Sequence, residues 1–90
     1  MKRNPEFLLR SVADTIVVVP VGKATTAFPG MITLNDTGAW LWGQLETEQT
    51  VDSLVAAMTE CYEVDEQTAR RDITAFVERL KPTGAILVDG

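Results

Sequence analysis

Along the chain, apolar positions recur first with a period of two and then with a period near that of a helix. Residues 7–13 and 16–21 are rich in β-branched and large apolar side chains, with Asp14-Thr15 between them, a pattern that predicts a β-hairpin. Pro20 has no amide hydrogen, so the hairpin is expected to run out there. Residues 22–30, with Lys23, Thr25, Thr26 and Pro29, read as a loop. Met31, Ile32, Thr33 and Leu34 form a third short strand, Ile32 and Leu34 on one face and Met31 and Thr33 on the other. At Asn35 the character changes. Asn35 or Asp36 is the expected N-cap of a helix to about residue 45, because a short side-chain oxygen accepts from free first-turn amides. Thr50 caps a second helix with Val51, Leu54, Val55 and Met58 on one face. Asp65 caps a third, whose apolar stripe is Ala69, Ile73, Phe76, Val77 and Leu80, and Pro82 and Gly84 stop it. Ala85, Ile86, Leu87 and Val88 then make a short terminal strand or an apolar tail packed on the core.

Connections between the helices are short, so the expected fold class is α+β. It is winged helix-turn-helix-like, with an N-terminal three-stranded antiparallel sheet followed by a three-helix bundle. A chain of 90 residues with 46% hydrophobic content is expected to form one domain, residues 1–90. The single cysteine excludes an internal disulfide, and with no histidine a zinc site of the usual ligands lacks candidates. Cys61 is expected to be a small buried hydrophobe. It has no histidine base, and there is no phosphate-binding glycine loop, so neither catalysis nor a cofactor is expected. Residues 1–6 are followed by no signal-peptide h-region, and the apolar run 15–21 is too short to span a bilayer. The expectation is a cytoplasmic protein without a membrane partner.

A formal net charge of −5 argues against a nucleic-acid backbone as partner. A DNA-binding winged helix would have to use residues 65–81 for recognition. That helix mixes Glu66, Asp72 and Glu78 with four basic residues, and no basic wing accompanies it. Strand 31–34 is uncharged and free of proline, so its edge is open to a peptide, or to a second copy in a homodimer, unless the preceding loop covers it. On a helical wheel one flank of the third helix carries Arg70, Thr74, Val77 and Lys81, and the other carries Asp72, Ala75 and Arg79. The first flank is cationic with an apolar residue in it, which suits an acidic, hydrophobic peptide; a solvated face favoured by the helix dipole is the alternative. Trp40 and Trp42 cannot share one face, and the pattern does not decide which of them is exposed.

The ordered pieces "LNDTGAWLW", "TVDSLVAAM" and "YEVDEQTARRDITAFVERLKPTGAI" resemble the PqqD family, covering roughly residues 31–87. These are small proteins of pyrroloquinoline-quinone biosynthesis and their relatives, recognition elements for ribosomally made, modified peptides. The resemblance implies a non-catalytic domain that binds the leader segment of a precursor peptide as an added β-strand. The leader would lie along the third strand and against the third helix. It also implies a modifying enzyme as second partner, often a radical S-adenosylmethionine enzyme. The residues expected to bind the peptide are Met31, Ile32, Thr33 and Leu34 from the strand and Arg70, Thr74, Val77 and Lys81 from the helix. One departure stands out: residues 21–30 are long for the family and precede the binding strand, so the register of a bound peptide is left open.

Overall fold

A computed structural model describes residues 1–27 and 30–88. In chain order its elements are Lys2–Arg3 (β1), Phe7–Val12 (β2), Thr15–Pro20 (β3), Ala24–Ala27 (α1) and Ile32–Leu34 (β4). Then come Asp36–Gln44 (α2), Val51–Cys61 (α3), Glu66–Leu80 (α4), a 3-10 turn at Lys81–Thr83, and Ile86–Leu87 (β5). The expected α+β arrangement is present: an antiparallel three-stranded sheet, then three long helices. Phe28 and Pro29, part of the loop read over 22–30, lie outside the described residues; within that loop the short α1 forms and buries Ala24.

The sheet runs β2-β3-β4, all antiparallel, so β4 is an edge strand. Its register pairs Ile16 with Leu34, Val17 with Thr33 and Val18 with Ile32. Pro20 is the last residue of β3 and lies opposite Phe7, beyond the reach of β4, so its missing amide costs the inner ladder nothing. The hairpin turn falls one residue earlier than the sequence pattern indicates. Thr15 is already paired with Val12, leaving Ala13 and Asp14 as the two-residue connection. The β-branched Thr15 is better used in the ladder than in the turn. Ala13 consequently takes a left-handed conformation with φ of 55°.

All three long helices begin where the sequence places their caps. Asn35 accepts from the Gly38 N–H, Thr50 from Ser53, and Asp65 from Thr68. Ser53 also returns a bond to the Thr50 amide, completing a capping box. The core gathers Val18, Ile32 and Leu34 from the sheet and Leu41, Trp42 and Leu45 from the α2 region. Leu54 and Met58 come from α3, and Ala69, Ile73, Phe76 and Leu80 from α4. Trp42 is therefore the buried tryptophan. Trp40 is half-buried and meets Tyr62 edge-on, with ring centroids 5.4 Å apart. Cys61 is exposed rather than buried: it ends α3, past the stripe that carries Leu54 and Met58 inward.

The N-terminal segment has a role that its sequence does not announce. β1 pairs with β5, confirming the strand alternative for the C-terminal apolar residues. The Arg3 amide donates to Leu45 O, and its guanidinium donates to Trp42 O at 3.3 Å. These are carbonyls at the C-terminal end of α2, a helix with no basic residue in its own last turn. Asn4 donates from its side chain to Gly84 O and from its backbone to Ala85 O. Among the described residues, no helix is long and apolar enough to cross a membrane.

Ala13→Gly removes the Cβ penalty of a left-handed residue, offset in part by greater freedom of the unfolded chain. It should raise unfolding stability by up to about 1 kcal/mol, read as a higher urea midpoint at unchanged slope. Asp65 has its pKa lowered from 3.8, chiefly by the Thr68 backbone N–H and then by the Thr68 side chain. Since the fold favours its ionised form, its contribution is complete above 3.8. It is lost as pH falls through that value toward the lower folded-state one. Asp65→Asn keeps an acceptor but does not titrate, so the stability advantage of wild type over the variant should be constant above that pH and shrink only below it, read from acid unfolding.

Candidate functional site

The open edge of β4 and the helix start that follows it form one local unit. Leu34 ends the strand, Asn35 is the cap, and Asp36 opens α2 without an intervening loop. Asn35 Oδ1 accepts from the Gly38 N–H at 2.7 Å. A Cβ on Gly38 would sit 3.2 Å from that same oxygen and 3.4 Å from Leu34 Cβ. Glycine therefore lets the first turn of α2 close down on the end of the strand, which explains the spacing of Leu34, Asn35 and Gly38 in the sequence.

Within β4, Ile32 and Leu34 are each 5% exposed and anchor the strand in the core, while Met31 is 62% exposed and Thr33 faces solvent. The alternation read from the sequence is thus the alternation observed. Met31 lies just before the paired residues. β3 occupies one side of β4, and among the described residues no strand pairs with the other.

Beside that free edge is an open groove of about 320 Å³ between the β4–α2 junction and α4. Leu34, Leu41, Ala75 and Phe76 supply its apolar lining, and Asn35, Thr37, Asp72 and Arg79 its polar rim. Arg79 reaches out of α4 to the strand itself: its Nη2 donates to Thr33 O at 2.6 Å. That carbonyl therefore has a lone pair directed away from β3.

Of the residues read as peptide-binding, Leu34 lines this groove and Met31, Ile32 and Thr33 precede it along the edge, whereas Arg70, Thr74, Val77 and Lys81 are not part of its lining. Arg70 lies against α3, where its guanidinium bonds Asp52 at 2.9 Å and Glu66 at 3.5 Å. The Asp52 hydrogen bond, ahead of the Glu66 contributions, raises the Arg70 pKa. Arg70 lines a separate hollow with Val55, Ala56 and Thr59. Val77, on the same flank, is half-buried against the core, and Thr74 and Lys81 are exposed. The groove wall is instead the opposite flank, Asp72, Ala75 and Arg79, with Phe76 at the core boundary. Helical spacing separates the two flanks correctly, but choosing between them requires knowing on which side α3 packs. A hint was present in Glu66 and Arg70, spaced for an ion pair on one helix face, which marks Arg70 as already engaged. Arg71 is exposed and lies 3.8 Å from Asp72.

Comparison with known proteins bears on this arrangement. The solved structure described as "TbiB1 in Complex with the TbiA(beta) Leader Peptide" is similar over 100% of this chain and 99% of that one. Its TM-score is 0.76 at 21% sequence identity. At that identity the likeness establishes a shared fold. Curated protein sequences give no match. The sequence model of the family described as "Coenzyme PQQ synthesis protein D (PqqD)" matches residues 15–86. That span takes in β3, the edge strand β4, the capped junction and all three long helices; the chain belongs to the PqqD family.

Proposed function

We propose that this chain is a non-catalytic peptide-recognition module. It binds the leader segment of a ribosomally made precursor by strand addition at β4 and presents it to a modifying enzyme, for example a radical S-adenosylmethionine enzyme. The observation that carries this reading is the one-sided pairing of β4 beside an apolar-lined groove. A strand in need of a partner supplies main-chain bonds, and an adjacent groove supplies side-chain selection. Family membership supports it, as does the shared fold with TbiB1, whose solved structure contains a leader peptide.

In this reading Met31, Ile32, Thr33 and Leu34 provide the template strand, and Phe76, Ala75 and Arg79 form the facing wall. The template is pre-set: Ile32 and Leu34 are held by the core, and Asn35 fixes the exit of the strand. Little ordering is then required of the protein on binding, which leaves more of the interaction energy for affinity. Arg70, Thr74, Val77 and Lys81 are outside the contact.

An amide-resolved NMR titration tests this, using synthetic leader segments of short peptides encoded beside the gene. Shifts should concentrate on residues 32–35 and on Ala75, Phe76 and Arg79. Shifts centred on Arg70, Thr74 and Lys81 would move the groove to the other flank. Concentration-dependent shifts of residues 31–34 without peptide would assign the edge to a homodimer. Thr33→Pro removes the amide donor at the middle of the edge; it should weaken peptide binding by roughly tenfold or more, with the fold retained in the amide spectrum.

A further inference from the structure

In an antiparallel ladder, successive residues of an edge strand alternate between facing the paired strand and facing away. The Arg79 bond to Thr33 O marks Thr33 as the residue within Ile32–Leu34 that faces away. An added strand would direct its own N–H at that oxygen. The acceptor at the centre of the open edge is thus occupied by a guanidinium from α4.

Arg79 is placed differently from the other two arginines of α4. Arg70 is neutralised by Asp52 and Glu66, and Arg71 lies beside Asp72. Arg79 takes part in none of the ion pairs among the described residues, and its hydrogen bond is to an uncharged carbonyl. Asp72, the acidic residue on the groove rim, is turned toward Arg71. A guanidinium gains more from a carboxylate than from a neutral carbonyl, because both partners of the bond are then charged.

Resting on the strand-addition reading, we propose that Arg79 determines which peptides bind. In the free protein it caps the β4 edge; an entering strand takes Thr33 O, and the released guanidinium pairs with a peptide carboxylate. Side chains two positions apart share a strand face. The favoured ligand is therefore an extended peptide with an Asp or Glu two positions from an apolar residue that enters the groove over Leu34 and Phe76. Peptides without the carboxylate must displace Arg79 without compensation, so the same residue admits one class and resists the other.

The test selects binders of the full chain from displayed random dodecapeptides, on wild type and on Arg79→Gln separately, and checks each binder for a shift of the Thr33 amide. Wild-type binders should carry the acidic residue two positions from an apolar one. Changing it to Asn or Gln should weaken binding to wild type about tenfold and to Arg79→Gln less than about twofold. Acid-free peptides should bind Arg79→Gln at least as tightly as wild type, a gain that a merely structural role for Arg79 does not produce. Binders that move Thr33 but show the same acidic content on both proteins would overturn the role of Arg79 and leave strand addition standing. If no selected peptide moves Thr33, strand addition fails and this inference with it.

Discussion

The hydrogen bond from the Gly38 amide to the Asn35 side chain, 2.7 Å long, ties the end of β4 to the start of α2. The position of the whole edge depends on it. With no loop between strand and helix, the cap fixes the angle at which the chain leaves the sheet, and Gly38 allows the approach by lacking a Cβ. Leu34 is thereby held over Leu41 and Phe76, and the groove between junction and α4 has a firm floor. A mobile connection would have left the same residues in the sequence but no fixed edge to offer a partner.

An exposed strand edge is a hazard, since it pairs with any suitable chain. This protein keeps β4 to Ile32–Leu34 and places an arginine on its central carbonyl. Two arginines of α4 have separate tasks. On the α3 side of α4, Arg70 joins the two helices through Asp52 and closes a turn with Glu66. On the β4 side, Arg79 is held at the groove by a weaker, neutral acceptor that an incoming strand competes for.

The rest of the architecture steadies this unit from a distance. Arg3 supplies the positive group and the donors that the C-terminal end of α2 lacks, and Asn4 holds the residues that lead into β5. The segment before the hairpin therefore fastens both the end of α2 and the C-terminal strand.

The helix caps at Thr50 and Asp65, a first cap at Asn35 or Asp36, the in-out alternation of Met31 to Leu34, and the stop at Gly84 were determined by the sequence alone. Each rests on contacts within about three or four residues, where spacing and side-chain chemistry suffice. The hairpin was legible too, though its turn slipped by one residue because Ala13, not a glycine or asparagine, adopts the left-handed conformation. Only the tertiary structure decided that Trp42 rather than Trp40 is buried, that Cys61 is exposed, that β1 pairs with β5, and that Asp72, Ala75 and Arg79 face β4 while Arg70 faces α3. Periodicity orders the faces around a helix. It does not say which neighbour packs on each, because that follows from contacts between elements far apart in the chain.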